Sequence, residues 1–184
     1  MRIIAGKRKG MQLKAPAGML TRPTTDRVKE NIFNLIQMNI RNRTVLDLFA
    51  GTGGMGIEAM SRGAKEAIFV EKDRHAYEVL CENLHKVDDL CPYDVFCLDS
   101  LLYLQKAQIQ FDLIFLDPPY SKGLLEPSLT FLCKRGLVAK DGFVVIETSK
   151  DDIYSYASLP VMSSLTEIKN IIYGQTRILI YHRK

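Results

Sequence analysis

Short apolar runs alternate with amphipathic segments along the chain after residue 43. Five of these runs have the length of buried strands, and they predict strands at residues 44–50, 66–71, 93–99, 111–117 and 142–148. The segments between them predict helices at residues 57–63, 73–87, 100–107 and 124–135, with Asp73 placed to cap the second. Strands that alternate with helices predict a parallel sheet covered on both faces.

Both ends of the chain depart from this alternation. Near the C-terminus, LTEIKNIIYGQTRILIYHR predicts a long strand, a tight turn at Gly174-Gln175 and a returning strand that inserts antiparallel. Near the N-terminus, RIIAG and MQLKAP predict a strand pair joined by KRKG. A helix is then expected to begin near Thr24 or Thr25. The residues of its predicted apolar face are Val28, Ile32, Phe33, Leu35 and Ile36.

These elements predict a single α/β domain over residues 1–184. Its Rossmann-like core, residues 44–184, is expected to hold a mostly parallel sheet of seven strands with an antiparallel last strand. A basic N-terminal β-hairpin (1–22) and a leading helix (23–43) are expected to precede this core.

Charge is unevenly distributed over this predicted domain. Residues 1–43 contain ten Lys or Arg residues and two acids, whereas the rest of the chain has 15 basic and 19 acidic residues. A basic head on a slightly acidic body indicates a polyanionic partner, although a solvated basic edge would have the same composition.

Other features of the composition narrow the class of protein. The four cysteines and three histidines show no zinc-ligand spacing, so no metal site is expected. No apolar run approaches the roughly 20 residues of a membrane span. No hydrophobic signal segment follows the basic start, so we expect a cytoplasmic protein with reduced thiols and no membrane contact.

The loop GTGGMG (51–56) follows the first predicted strand and fits the pattern G-x-G-x-x-G. Glu71 lies 20 residues after Gly51, which is the spacing of a dinucleotide-binding fingerprint. Against NAD, Asp47 would repel a pyrophosphate at the helix N-terminus, whereas it would suit the amino group of S-adenosylmethionine (SAM). We therefore favour SAM, with Glu71 accepting from the ribose hydroxyls.

Further residues at the predicted strand ends complete this candidate cofactor site. Asp99 is expected to accept from the adenine amino group, and it is also placed to cap the helix that begins at Ser100; the two roles are compatible. The predicted cofactor-binding residues are Asp47, Phe49, Gly51, Gly53, Gly56, Glu71, Lys72, Asp99 and Ser100.

The fourth predicted strand stops abruptly at Asp117-Pro118-Pro119-Tyr120. An amine conjugated to a ring is a poor nucleophile, so its methylation requires hydrogen-bond acceptors that face its N–H groups. The Asp117 carboxylate and the Pro118 carbonyl can be these acceptors, and the prolines stiffen the turn. Tyr120 offers a ring for a flipped base. These four residues are the predicted catalytic residues.

Together these segments resemble the bacterial 16S rRNA (guanine-N2)-methyltransferases of the RsmD type. The resemblance covers almost the whole chain, in the order RIIAGKRKGMQL, RPTTDRVKENIFNLI, DLFAGTGGMGIEAMSRGA, VEKD and LDPPY. It implies a class I methyltransferase fold that uses SAM and releases S-adenosylhomocysteine. It also implies methylation of N2 of one guanine in 16S rRNA of the small ribosomal subunit. We expect the protein to be a monomer.

The resemblance also implies a role for the basic head, which is to grip RNA phosphates. The predicted RNA-binding residues are Arg2, Lys7, Arg8, Lys9, Arg22, Arg27 and Lys29. Arg22, Thr24 and Thr25 are also candidates to close over the cofactor or the target base, with helix capping as the alternative role for the threonines.

Four other functions compete with this interpretation. N6-adenine methylation of DNA uses the same acidic turn, but its enzymes usually add a target-recognition domain for which 184 residues leave no room. Protein-glutamine methyltransferases prefer Asn where this chain has Asp117. A non-catalytic nucleic-acid-binding module would not need the cofactor residues. An NAD-dependent oxidoreductase would not need the proline turn.

Overall fold

The computed structural model describes residues 1–15, 26–119, 123–152 and 156–184. Within these ranges the chain forms one seven-stranded sheet with the strand order β3-β2-β1-β4-β5-β7-β6. The strands are β1 (Thr44–Asp47), β2 (Glu66–Glu71), β3 (Tyr93–Cys97), β4 (Phe111–Leu116), β5 (Val138–Ser149), β6 (Leu165–Tyr173) and β7 (Thr176–Arg183). The predictions for Arg22, Thr24, Thr25 and Tyr120 concern residues outside these ranges.

The first five strands are parallel, and β7 runs antiparallel between β5 and β6. The turn between β6 and β7 lies at Gly174 and Gln175, where Gly174 has a φ of 61°. The predicted mostly parallel seven-stranded sheet with its antiparallel C-terminal strand is thus confirmed. The order reverses direction next to β1, and open α/β sheets bind ligands at the carboxyl ends of strands at such a point.

In the described parts of the chain, five α-helices cover the sheet, and their bounds are α1 (Asp26–Ile36), α2 (Gly54–Ser61), α3 (Arg74–His85), α4 (Ser100–Lys106) and α5 (Leu125–Lys134). Alternate residues of each strand enter different cores because strand side chains point to opposite faces. Val45 and Phe115 pack with residues of α1, α2 and α3 on one face. Leu46 and Ile114 pack with residues of α4 and α5 on the other. The predicted cap of α3 is confirmed, since the Asp73 side chain accepts from the Ala76 N–H at 2.8 Å.

Several boundaries and one helix face differ from the predictions, and helix α2 begins at Gly54 rather than at residue 57. Strand β1 ends at Asp47 rather than at residue 50, and β5 begins at Val138 because it pairs with Phe111 before the register with β4 shifts. On α1, Leu35 is exposed and a predicted surface residue, Lys29, is fully buried. Lys29 lies at helical spacing from Ile32, Phe33 and Ile36 and therefore faces the core, where a carboxylate from another helix compensates its buried charge.

Residues 1–13 form a strand pair with one antiparallel bridge, between Arg2 and Gln12. The Ile3 N–H donates to the Met11 carbonyl at 2.9 Å, and the Leu13 N–H donates to the Met1 carbonyl at 3.0 Å. Ile3 and Leu13 are both buried in the same core as α1. The strand pair is therefore packed against the domain.

Within the described residues, no helix is both long enough and apolar enough to cross a membrane.

Candidate active site

Four carboxylates lie at or just beyond the carboxyl ends of neighbouring parallel strands. Asp47 and Glu71 are the last residues of β1 and β2, Asp99 follows β3, and Asp117 directly follows β4. Because β1 is flanked by β2 and β4, the sheet brings these acids to one edge. This is the edge at which the glycine loop joins β1 to α2.

The backbone of the glycine loop is held by two of these carboxylates. The Gly51 N–H donates to Glu71 Oε2 at 2.7 Å, and the Gly56 N–H donates to Asp47 Oδ2 at 2.8 Å. Gly53, with a φ of 89°, stands at the N-terminus of α2 in a left-handed conformation that favours glycine. A Cβ on Gly56 would lie 2.2 Å from the Phe69 ring, so only glycine allows α2 to approach β2 this closely.

Asp47 is a buried carboxyl with an unusual protonation equilibrium. Its exposed fraction is 4%. Burial raises its pKa to about 7, the Glu71 carboxylate adds to the rise, and the hydrogen bond from Gly56 opposes it. Asp47 is therefore poised to lose a proton when a cation binds nearby. Its contact with Gly56 also gives it a structural role at the start of α2, which the sequence did not predict.

Glu71 and Asp99 are held mainly by backbone N–H groups. Glu71 Oε1 accepts from the Asp73 N–H at 2.7 Å, and Asp99 Oδ1 accepts from the Leu101 N–H at 3.0 Å at the start of α4. The predicted helix-capping role of Asp99 is thus confirmed. Lys72 donates to Asp99 Oδ2 at 2.9 Å, and this bond is the largest cause of the lowered pKa of Asp99. Each carboxylate oxygen has a second lone pair with which to accept a ligand hydroxyl or amine.

Two other predicted cofactor residues lie beside these acids. Ser100 is buried as the first residue of α4. Phe49 is half-buried between β1 and the glycine loop and packs against the core that contains Leu46. Both lie near the strand ends, and their contact with a cofactor stays a prediction.

Asp117 begins the proline turn at the end of β4. Pro118 is buried and Pro119 is exposed, while Tyr120 lies outside the described residues. Desolvation by the surrounding protein raises the pKa of Asp117 well above its usual range, and the Glu147 and Asp47 carboxylates raise it further. Solvent reaches Asp117, and the two neighbouring carboxylates disfavour its ionised form.

Two residues near the site were missed in the sequence. Glu147 follows Ile146, which pairs with Leu116, so Glu147 lies beside Asp117 on the next strand. It is a buried acid in an otherwise apolar run, and that contrast was a usable signal. Asn83 is fully buried and bonds to the glycine loop. Its signal was an amide in the apolar stripe of α3.

Six of the seven predicted RNA-binding residues lie in the described ranges, and these six divide into three groups. Lys29 was predicted wrongly, because its side chain has no exposed surface and pairs with Glu58 at 3.2 Å. Arg2 pairs with Asp26 at 3.0 Å, and Arg8 donates to Asp89 Oδ1 at 2.6 Å. Lys7, Lys9 and Arg27 are exposed, and within the described ranges none of the three has an ion pair. Arg22 lies outside the described residues.

Glu58 explains why Lys29 is buried. This fully buried carboxylate accepts from the Ile4 N–H at 2.7 Å and from the Ala5 N–H at 3.0 Å, and it also pairs with Arg62 at 2.8 Å. Burial lowers the pKa of Lys29, while the Glu58 carboxylate acts in the opposite direction. The cluster of Lys29, Glu58 and Arg62 therefore fastens the N-terminal strand pair and α1 to α2.

The hydrogen-bond acceptors at the strand ends suit a cofactor with hydroxyl and cationic groups. Asp47, Glu71 and Asp99 offer acceptors, and Lys72 beside them is already paired with Asp99. A pyrophosphate at the start of α2 would meet the carboxylates of Asp47 and Glu71. The residues therefore fit SAM better than a dinucleotide. Among the described residues, no group of three or more His, Cys, Asp or Glu is arranged to hold a metal ion.

Comparison with solved structures identifies the class of this fold. The chain superimposes on "Putative methyltransferase yhhF" from Escherichia coli with a TM-score of 0.88 and 31% identity, covering 100% of this chain and 98% of that one. The fold is that of the class I methyltransferases, as predicted.

Sequence comparison then identifies the family. A family described as "Conserved hypothetical protein 95" matches residues 1–182. The chain is 39% identical to "Putative rRNA methyltransferase YlbH" from Bacillus subtilis, with 100% of each protein covered. It is 32% identical to "Ribosomal RNA small subunit methyltransferase D" from Escherichia coli, covering 100% of this chain and 90% of that protein. The chain belongs to the family described as "Conserved hypothetical protein 95". Its predicted resemblance to the RsmD-type methyltransferases is confirmed.

Proposed function

We propose that the protein transfers a methyl group from SAM to the exocyclic N2 amine of a guanine in 16S rRNA. The observation that carries this proposal is the position of Asp117. It begins a proline turn at the same sheet edge as Asp47, Glu71 and the glycine loop. The names of the two relatives, both of which specify methylation of ribosomal RNA, support the choice of substrate.

Different residues of the cofactor site would bind the two ends of SAM. Glu71 and Asp99 would accept from the ribose and adenine, and Asp47 would attract the amino group. Gly51, Gly53 and Gly56 would let the loop approach closely. When bound, SAM supplies a methyl group made electrophilic by the sulfonium sulfur.

The proline turn would prepare the target amine. The Asp117 carboxylate and the Pro118 carbonyl would accept from its two N–H groups and favour a tetrahedral nitrogen. Because the pKa of Asp117 is raised, a protonated fraction would lose acceptor capacity at low pH. Tyr120 is proposed to stack on the target base, which is the role that its position in the motif predicts.

The basic surface would hold RNA at a distance from the target base. The Lys7 N–H donates to the Ser61 carbonyl at 2.8 Å, so Lys7 lies at the opposite end of α2 from the glycine loop. Eight helical residues span about 12 Å. We therefore propose that Lys7 and Lys9 contact phosphates that are several nucleotides from the target, which favours a structured RNA over a short single strand.

The decisive experiment uses labelled SAM and small ribosomal subunits from cells that lack the activity. We expect label in one nucleoside of 16S rRNA, recovered as N2-methylguanosine after digestion. Label in N6-methyladenosine, or label only in protein, would contradict the proposal. NAD should leave the melting temperature unchanged while SAM raises it; the reverse result would contradict the cofactor assignment.

A further inference from the structure

Asn83 connects the N-terminal strand pair to the glycine loop through three hydrogen bonds. Its Oδ1 accepts from the Lys14 N–H at 2.8 Å, and its Nδ2 donates to the Lys14 carbonyl at 3.0 Å and to the Thr52 carbonyl at 3.0 Å. A primary amide has the donors and the acceptor for all three bonds at once, and the reversed amide orientation would satisfy none of them.

The burial of this amide makes the connection costly to break. Asn83 has no exposed surface, so groups left without partners there would be paired with neither protein nor water. The Asn83 amide bonds to both the backbone N–H and the backbone carbonyl of Lys14, and these two bonds form an amide clamp. Its side chain is separate from this clamp, since it pairs with Glu82 on the surface of α3.

The other end of the connection lies inside the candidate cofactor site. Thr52 stands between Gly51 and Gly53, and the Gly53 N–H donates to the Ala50 carbonyl at 2.7 Å. Leu80, one turn before Asn83 on α3, packs against Gly53, where an added Cβ would lie 2.6 Å from it. Helix α3 therefore supports the loop from behind by packing and by one hydrogen bond.

We propose that Asn83 is a positioning residue that sets the conformation of the glycine loop and couples it to the point where the chain leaves the basic strand pair. The inference rests on the proposed use of SAM. Asn83 does not touch the cofactor in this proposal. It acts through Thr52, whose carbonyl it orients, and through Lys14, which leads into residues 16–25.

The test compares SAM affinities of folded variants by calorimetry, well below their melting temperatures. Asn83→Ala should weaken SAM binding about tenfold, the effect of losing one buried hydrogen bond to the loop. It should raise the KM for SAM more than it lowers kcat. Glu82→Ala is the matched control, because it removes the adjacent surface pair with Lys14 and leaves the amide clamp intact. Its SAM affinity should equal that of the wild type.

Asn83→Asp gives a second readout that does not depend on the alanine variant folding. The introduced carboxyl can donate to one carbonyl when protonated, whereas its ionised form donates to neither. Its SAM affinity relative to wild type should therefore improve as the pH is lowered. A merely structural role would lower the melting temperature without this pH dependence.

The outcomes separate this inference from the proposed function. If the wild type binds SAM and a folded Asn83→Ala binds it within twofold of wild type, Asn83 does not position the loop. An Asn83→Asp affinity that follows the wild type at every pH would overturn the inference equally. Failure of the wild type itself to bind SAM would instead overturn the proposed cofactor.

Discussion

The charged side chains at the acidic edge of the sheet and those of the basic strand pair have different kinds of partner. At the edge, backbone N–H groups hold Asp47, Glu71 and one oxygen of Asp99. In the N-terminal region, charged side chains pair with one another, as Arg2 does with Asp26 and Arg8 with Asp89. The edge carboxylates thereby shape a loop and keep oxygen lone pairs with which to accept from a ligand. Much of the basic charge is instead used to attach the strand pair to the domain.

This difference determines how a charged residue can be interpreted. A carboxylate at the end of a parallel strand is near the ligand edge whatever its neighbours are, because the strand direction places it there. A lysine on a surface helix has no such constraint. Lys7 remains exposed, whereas Lys29, on the same basic segment of sequence, is completely buried.

The largest expected effect is at the acidic edge. Asp117→Ala should lower the rate of methyl transfer by at least about 100-fold, the usual cost of removing one acceptor aimed at the transition state. SAM affinity should be nearly unchanged. Asp117→Asn keeps a carbonyl acceptor and should retain part of the rate. At saturating SAM, Asp117→Asn should also lack the loss of activity at low pH that the raised pKa of Asp117 predicts for the wild type. Wild-type rates in the alanine variant would remove Asp117 from the chemistry.

The second prediction concerns the proton on Asp47 at the same edge. Its folded-state pKa of about 7 lies above the ordinary value of 3.8, so the folded protein binds this proton more tightly than the unfolded chain does. Asp47 should therefore lower the stability as pH rises from about 4 to about 7, by up to about 4 kcal/mol. Asp47→Asn can still accept from Gly56 and should lack this dependence.

The stability difference between Asp47→Asn and the wild type, measured across pH, tests the titration of Asp47 together with its effect on the neighbouring Asp117. A difference that does not change between about pH 4 and about pH 8 would contradict the raised pKa. Binding of cationic SAM should also favour the ionised form of Asp47 and should therefore release a proton at about pH 6. Calorimetry in buffers of different ionisation enthalpy would detect that release in the wild type, and the release should be smaller in the variant, where only Asp117 retains a raised pKa at this edge.

The third prediction tests the buried cluster in the N-terminal region. Lys29→Ala should lower the free energy of unfolding by about 3 kcal/mol, because it removes one partner of a buried carboxylate. Glu58 would keep Arg62 and two backbone N–H groups, which limits the loss. Denaturant unfolding measures the change, with Glu30→Ala, an exposed change on the same helix, as the control. If Lys29 contacted RNA instead, the variant would lose RNA affinity at unchanged stability.

The sequence predicted the sheet well because its signals are local. Each buried strand is a continuous apolar run, and Gly174 marks the change of direction at the C-terminal end that the prediction required. The early start of β5 was missed because Val138 pairs with Phe111 across an irregular register. Such pairing depends on a strand distant in sequence, and no local pattern encodes it.

For the site, the sequence predicted which acids reach the edge but not what each one bonds. The contacts of Asp47 with Gly56 and of Glu71 with Gly51 follow from the path of the loop in three dimensions. The burial of Lys29 depends on its ion pair with Glu58, which is 29 residues away and has no distinguishing signal in the sequence. Tertiary pairing of charges was thus the main information that spacing alone could not supply.

The smallest expected effect concerns the exposed cations that have no ion pair among the described residues. Neutralising Lys7, Lys9 and Arg27 together should weaken RNA binding and reduce the slope of log K against log salt by about 2 to 3, nearly one for each phosphate that is no longer neutralised. Arg8 should be kept, because it holds Asp89. The control replaces three exposed lysines near α4 and α5, Lys106, Lys134 and Lys140. It changes the net charge equally, so an equal reduction of slope in both variants would mean that only total charge attracts the RNA. A reduction confined to the first variant would show that the cations not used to attach the strand pair bind the RNA.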